Sequence, residues 1–278
     1  MSPSQQKETI RITVERAIGA LSSFLVDGLY NDLEPVRLAR TACILLSAGC
    51  SSSGSFPWHE IAERIVKKQR EDGGWSDVEE TIWSIGLLNK FPFRYTSNIN
   101  NGIGWLKSVR LPCGVWGRNN RDQPRIITTA LASFFVQSII DNSALRWMSS
   151  QWETDMKSTT KLTYKAGFFL LTTVYENASS NESLKKRTVT FLENSQNDDG
   201  GFGPWKGHPV GSDPWSTGIV LWGLSKVGDQ APKPTIERTV KWLRSKQLPN
   251  GFWPYHYLDD GTAMALIGIT SVLPVLRG

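Results

Sequence analysis

Two kinds of apolar pattern alternate along the chain. In the first, apolar residues recur at steps of four and three: Trp58, Ala62 and Ile65; Ile99, Ile103 and Leu106; Ile140, Ala144 and Trp147; Val189 and Leu192 behind the polar Lys185; Ile236, Val240 and Leu243. Such steps place side chains on one face of an α-helix. Charges between them, such as Glu63, Arg64, Lys67, Lys107, Glu237, Arg238 and Lys241, give each helix a wet face. The second kind is apolar nearly all round: Thr81 to Leu88, Thr129 to Val136, Thr163 to Leu171, Thr217 to Leu224 and Thr262 to Ile269. A helix without a wet face belongs in a buried layer. With an earlier pair, Ile10 to Val26 and Val36 to Ala48, the pattern predicts six pairs of one amphipathic and one buried helix.

The link inside each pair repeats too. Gln69-Arg-Glu-Asp-Gly-Gly-Trp75, Gln196-Asn-Asp-Asp-Gly-Gly-Phe202 and Gln247-Leu-Pro-Asn-Gly-Phe-Trp253 share a Gln, a Gly four residues later and an aromatic six later. Arg110-Leu-Pro-Cys-Gly-Val-Trp116 keeps the Gly and Trp but has Arg for Gln, and a fifth copy around Gln151 keeps only the Gln. The glycine is expected to stop the helix before it. Repeats near 45 residues also form open solenoids. Closure is the expectation here, because a ring buries a fully apolar inner layer and the end repeats show no polar caps. The expected fold is all-α, an (α/α)6 toroid forming a single domain over residues 1–278.

Composition adds limits. Hydrophobic residues are 40% and charged residues 21%, as in soluble globular proteins. The formal net charge of +5 comes from scattered Lys and Arg, so no nucleic-acid stripe is read, although a mild basic excess suits an anionic substrate or a membrane surface. Cys43, Cys50 and Cys113 form no disulfide framework and no CxxC pair. The polar stretch Met1 to Arg11 lacks a signal-peptide core, and no stretch is read as approaching the roughly 18 to 20 apolar residues of a membrane span. These features point to a cytoplasmic protein, with peripheral membrane contact left open.

Gln-x-x-x-Gly-x-Trp resembles the QW motif of squalene-hopene and oxidosqualene cyclases and related class II terpene cyclases, and the resemblance runs from about Ile10 to Leu276. It implies that the motif is structural: the Gln ties down a helix end and the aromatic stacks nearby, so Trp75, Trp116, Phe202 and Trp253 are expected as braces. Protein prenyltransferase β subunits share the fold and hold zinc through Asp, Cys and His. Here the histidines are His59, His208 and His256, and no cysteine follows Cys113, so no tetrahedral ligand set is read. His208 and His256 are expected as plain surface residues.

Two repeats place carboxyls where a buried helix starts. Asp77-Val-Glu-Glu-Thr81 resembles the Asp-x-Asp-Asp-Thr-Ala motif of class II cyclases, with both later aspartates replaced by Glu and Ala replaced by Ile82. The resemblance implies Glu79 as general acid, with Asp77 and Glu80 as its partners. In Leu258-Asp-Asp-Gly-Thr-Ala263, Asp260 stands two residues before Thr262, as Glu79 stands before Thr81, and resembles the single-Asp version in oxidosqualene cyclases. Protonating an alkene needs a carboxyl held neutral in a low-dielectric pocket and aimed by hydrogen bonds. The alternative for both sites is helix capping, which favours acids at the same positions.

A carbocation is stabilised by aromatic faces. Trp83, Phe134, Phe168, Phe169 and Trp222 on buried helices, and Trp205, Trp215, Tyr255 and Tyr257 in rim loops, are available for this or for plain core packing. The Gly-rich loop from Gly200 to Trp215 suits a lid or a polar head. Arg118, Arg121 and Arg125 are expected to be solvated rather than anion-binding. The resulting expectation is a class II cyclase acting on a polyprenyl or prenylated small molecule in a central apolar cavity. It would need no cofactor, with Mg2+ called for only if the substrate carries a diphosphate. The rival expectations are a non-catalytic lipid- or partner-binding toroid, a non-protonation isomerase on the same fold, and a zinc prenyltransferase.

Overall fold

The computed structural model describes residues 3–51, 55–91, 93–175 and 182–277. Among these residues every regular element is helical. The helices are α1 (Pro3–Tyr30), α2 (Pro35–Ser47), α3 (Trp58–Lys67), α4 (Val78–Leu88), α5 (Thr96–Ser108), α6 (Ile126–Phe135), α7 (Asn142–Met156), α8 (Thr163–Thr172), α9 (Glu182–Ser195), α10 (Pro214–Leu224), α11 (Lys233–Lys246) and α12 (Leu258–Arg277). They alternate as the patterning predicts. Every residue of α4 except Glu79 is buried, and so is every residue of α10 except Trp215. The amphipathic α3 buries only Trp58, Ile61, Ala62 and Ile65.

The helices fall into two compact units, residues 25–156 and residues 1–24 with 157–278. In the first unit the apolar helices α2, α4 and α6 pack side by side, flanked by α3, α5 and α7. In the second, α8, α10 and α12 form the apolar layer, with α9 and α11 against it. Backbones in that layer nearly touch. A Cβ added at Gly218 would lie 2.2 Å from the Met264 carbonyl oxygen, and one at Gly268 would lie 2.4 Å from that of Gly218. Within α12 the stretch Leu258–Leu276 is long and apolar enough to cross a membrane, where the sequence reading expects no such stretch. Its 61% burial and its packing on α10 make it a core helix.

Four of the pairs, α3/α4, α5/α6, α9/α10 and α11/α12, are locked by a recurring set of bonds. The indole N–H donates to the carbonyl ten residues earlier: Trp75 to Ile65 (2.8 Å), Trp116 to Leu106 (2.8 Å), Trp253 to Leu243 (2.7 Å). The aromatic residue's backbone N–H donates to a threonine hydroxyl in the first turns of the apolar helix: Trp75 to Thr81 (3.0 Å), Trp116 to Thr129 (3.3 Å), Phe202 to Thr217 (3.0 Å), Trp253 to Thr262 (2.9 Å). The glutamine amide ties its own loop to the next amphipathic helix. Gln69 Nε2 donates to Gly73 O (2.7 Å) and Asn98 O (2.8 Å). Gln196 Nε2 donates to Gly200 O (2.9 Å), Thr235 O (3.0 Å) and Thr239 Oγ1 (2.8 Å). Gln247 Nε2 donates to Gly251 O (3.0 Å) and, back to the first helix, Thr13 O (2.9 Å). Arg110 performs the same task differently: its Nε donates to Gly114 O (2.7 Å), and its terminal nitrogens grip Asp141 before α7 (2.7 and 2.8 Å).

Two expectations need correction. The motif glycine is not a helix stop, because α3, α5, α9 and α11 end five or six residues before it. It closes the following loop, donating its N–H three residues back, as Gly73 does to Arg70 O (2.9 Å). All four copies have φ between 86° and 93°, a region that side chains with a Cβ rarely adopt. Second, Gln151 lies inside α7 and bonds Asp155 (3.0 Å) instead of tying a loop. Without a loop to fix the register, α7 buries the expected Ala144 together with Met148 and Trp152, in place of Ile140 and Trp147.

Candidate functional site

The threonine brace fixes the first turns of α4, α6, α10 and α12 in one frame. Two residues before it lies a position that stays half-buried: Glu79, Ile127, Trp215 and Asp260. Four residues before it stand Asp77 and Asp213, which cap α4 and α10 by accepting from the amides of Glu80 (2.9 Å) and Ser216 (2.7 Å). In α6 the same place is taken by Arg125.

In the 25–156 unit the three carboxyls of the Asp77–Glu80 stretch differ in their surroundings. Asp77 Oδ1 caps the helix, and Oδ2 accepts from Arg118 Nη2 at 3.0 Å and Nε at 3.3 Å. Glu80 is buried and accepts from the Ser76 hydroxyl at 2.6 Å. Glu79 is half-buried and lies within the field of Arg125, where it adds to the pull that raises the guanidinium's pKa; the larger cause is the Asp122 carboxylate. Asp122 is itself held down to about 2, first by Arg125 and then by backbone amides. Arg118 and Arg125 are therefore tied to carboxylates rather than simply solvated, while Arg121 is exposed. Trp83 is buried deeper in α4, 4.8 Å from the Phe135 ring.

The second site gathers more of the expected residues. Trp215 stands in the first turn of α10, with Tyr255 parallel to it at 6.4 Å, Tyr164 edge-on at 5.5 Å and Phe168 at 6.2 Å. Tyr255 and Pro214 also abut Gly261, the residue after Asp260: a Cβ there would lie 2.5 Å from Tyr255 Cβ. The start of α12 thus packs against the start of α10. Asp259 is fully buried, and Asp260 Oδ1 is shielded from solvent. Trp222 is fully buried in the core, and Tyr257 is 58% exposed at the surface. The ring cluster therefore comprises Phe168, Trp215 and Tyr255, joined by Tyr164.

Beside the cluster lies a cavity of about 460 Å3, lined by Asp213, Tyr255, His208, His256, Trp242 and Lys246 among others. His208 is half-buried and His256 exposed, both on the rim of this cavity, and the Gly-rich loop supplies one of its walls. Burial pushes the Asp213 carboxyl above its ordinary value, against the opposing pull of the Ser216 and Trp215 amides and of His208. Asp213 escaped the sequence reading because it sits at the end of that loop. The signal was an Asp four residues before a brace threonine, followed by Pro, as at a helix start. Among the described residues no group of three His, Cys, Asp or Glu side chains is arranged to hold a metal ion.

An all-α chain of braced helical hairpins, with carboxyls and aromatic rings at the starts of its apolar helices, has the architecture of the terpenoid cyclases. Residues 94–263 match the family model for the squalene-hopene cyclase C-terminal domain, and the chain belongs to that family. The matched stretch contains Asp213 and Asp260 and excludes Asp77 to Glu80. No curated protein matches the sequence. Among solved structures, the type II terpene cyclase MstE from Scytonema without ligand is similar at a TM-score of 0.74 and 13% identity, over 94% of this chain and 99% of that one. A variant of MstE in complex with geranylgeranyl dihydroxybenzoate, its substrate, is similar at 0.74 and 12%, over 96% and 99%. A protein from Actinoplanes is similar at 0.71 and 14%, over 95% and 99%. The fold class read from the repeats, the α/α toroid of the terpenoid cyclases, is the fold these likenesses show.

Proposed function

We propose that the protein is a class II terpene cyclase, which protonates a prenylated small molecule and guides its ring closure. The observation that carries this reading is the half-buried position in the first turn of the apolar helices: it holds carboxyls in two repeats, Glu79 and Asp260, and a tryptophan within a four-ring cluster in a third. Asp260 is the acid in this reading. Next to it in sequence, Gly261 packs on Tyr255, which is stacked with Trp215, rings whose faces attract a cation, and on Pro214, which follows the Asp213 cap at the start of α10. The Asp260 proton adds to the terminal alkene of the prenyl chain and leaves a tertiary cation. Successive alkene carbons attack that cation, and the last cation returns a proton to a base. The product then has the formula of the substrate, and the acid is restored. No cofactor enters these steps.

A second reading places the acid at Glu79. The motif frame favours it, since Asp77 and Glu80 are already engaged by the Glu80 amide, Arg118 and Ser76. Geranylgeranyl dihydroxybenzoate, the molecule bound by the similar MstE variant, is the first substrate to offer. The expected result is an isomeric product, lost at least 100-fold in Asp260→Asn and retained within a few-fold in Glu79→Gln. The reverse pattern moves the acid to Glu79. Turnover untouched by both substitutions refutes the acid assignments, and a tightly co-purifying lipid without turnover of any prenyl substrate favours a binding protein.

A further inference from the structure

A second cavity in the unit of residues 1–24 and 157–278 lies away from the helix starts. It is a groove of about 720 Å3 between α1 and α11, lined by Arg16, Arg238, Lys241 and Arg244, with Glu237 the one carboxylate. Four cations and one anion leave +3 in a groove of a chain whose whole net charge is +5. A charged outer face is ordinary for an amphipathic helix, and two such faces in contact normally pair their charges. These do not. The α1 wall offers Thr9, Ile12, Thr13 and Arg16, while the nearby acids Glu8 and Glu15 are both drawn to Arg11 at 2.5 Å. Among the described residues none of the four groove cations makes an ion pair.

One of the cations is already set in place, and a second lacks a partner. Arg16 Nη2 donates to Leu248 O at 2.7 Å, which anchors its guanidinium at the end of α11. Arg244 Nε is buried and has no hydrogen-bond partner. A buried donor without an acceptor is unfavourable, and a turn of this guanidinium toward an acceptor in the groove removes that penalty. Guanidinium forks match phosphate oxygens two at a time, and the groove's volume lies within the roughly 300–1,000 Å3 of small-molecule sites.

We propose that this groove binds a phosphorylated anion of at least two negative charges, either a free diphosphate-type molecule or the phosphomonoester headgroup of a lipid. It shares no residue with the carboxyls and rings assigned to cyclisation, so either proposal can fail alone.

Calorimetric titration of the intact protein with inorganic diphosphate, with flotation on vesicles of phosphatidylcholine with or without phosphatidic acid, tests it. Arg238 and Lys241 are exposed, so Arg238→Glu with Lys241→Glu leaves the fold intact by circular dichroism. Diphosphate affinity is expected to fall at least tenfold in that double variant and in Arg244→Gln, and to stay unchanged in the exposed control Lys233→Glu. Diphosphate binding lost in the variants identifies a soluble ligand. Selective binding to phosphatidic acid vesicles, lost in the same variants without diphosphate binding, identifies a headgroup. Absence of both, or equal binding by wild type and variants, overturns the proposal.

Discussion

Replacing Gln196 by Ala removes one of the ties between neighbouring hairpins, and its cost follows from the geometry. The side chain is 7% exposed, and its single amide nitrogen serves Gly200 O, Thr235 O and Thr239 Oγ1. A net hydrogen bond contributes about 1 kcal/mol, and a buried acceptor left unsatisfied costs about 1–3 kcal/mol. Thr235 O keeps the Thr239 hydroxyl as donor, so Gly200 O bears most of the loss. The sum is about 2–4 kcal/mol. At about 2–4 °C per kcal/mol for a chain of this size, the melting midpoint followed by circular dichroism drops roughly 5–15 °C. Gln196→Glu drops it further, because a carboxylate cannot donate and faces the carbonyls. Gln151→Ala is the matched control: the same residue type in the same repeat frame, bonded only to Asp155 on its own helix, and expected within about 0.5 kcal/mol of wild type. A Gln196→Ala midpoint as close to wild type as that of Gln151→Ala refutes the claim that the motif glutamine holds hairpins together.

Three other perturbations test separate parts of the structure. Gly218→Ala drives a methyl into the Met264 carbonyl and is expected to cost about 3 kcal/mol or more, whereas Gly104→Ala on α5, with nothing within 4 Å, is expected to stabilise by up to about 1 kcal/mol; urea midpoints of the two decide. Asp213 has a folded-state pKa above its unfolded one, so its contribution is full below about pH 4 and is lost as pH rises through the raised value. The stability difference between wild type and Asp213→Asn should therefore shrink with rising pH in that window, and a difference that grows refutes the burial argument. Burial pushes the Cys43 thiol up to about 12, and Cys113 is exposed, so a thiol reagent at pH 8 should modify Cys113 in the native protein and reach Cys43 only on unfolding, as peptide mass mapping would show.

The helical pairs were legible because both periodicities recur along the chain despite the polar Lys185, and each predicted apolar helix overlaps an observed one from α2 to α12. The motif glycines were legible as residues but not in their role, since a helix stop and a tight loop both select for positive φ. The face of α7 was misread because Gln151 was aligned as though a loop followed it, and the chain there simply continues as helix. The ring cluster was half legible. Phe168, Trp215 and Tyr255 were candidates, but nothing in the sequence separates them from Trp222, which packs into the core. Arg118 and Arg125 looked like solvated charges because their partners, Asp77 and Asp122, are fixed by loop geometry. The cationic groove was invisible for a simpler reason: its walls come from opposite ends of the sequence and are brought together by long-range ties such as Gln247 to Thr13 and Arg16 to Leu248.

The braces and the candidate chemistry share atoms, which constrains how function can vary on this scaffold. Thr81 Oγ1 accepts the Trp75 amide and donates to Asp77 O at 2.8 Å, so the brace also positions the cap that leads the acidic stretch. On α10 the Thr217 hydroxyl meets the Phe202 amide, while Asp213 N–H donates to Phe202 O at 3.0 Å. The backbone of each first turn is thus set by groups common to several repeats, and what differs is the side chain placed on it. Two residues before the threonine the chain puts Glu79, Ile127, Trp215 and Asp260; four before, it puts Asp77, Arg125, Asp213 and Leu258. A substitution at those eight positions changes charge or aromatic surface at the helix starts while leaving every brace bond in place. A substitution at Thr81, Thr217 or Thr262 disturbs the bracing and the candidate site together. Stability and activity should therefore separate at Glu79, Ile127, Trp215 and Asp260, whereas the capping Asp77 and Asp213 also carry stability, and the two should fall together at the threonines.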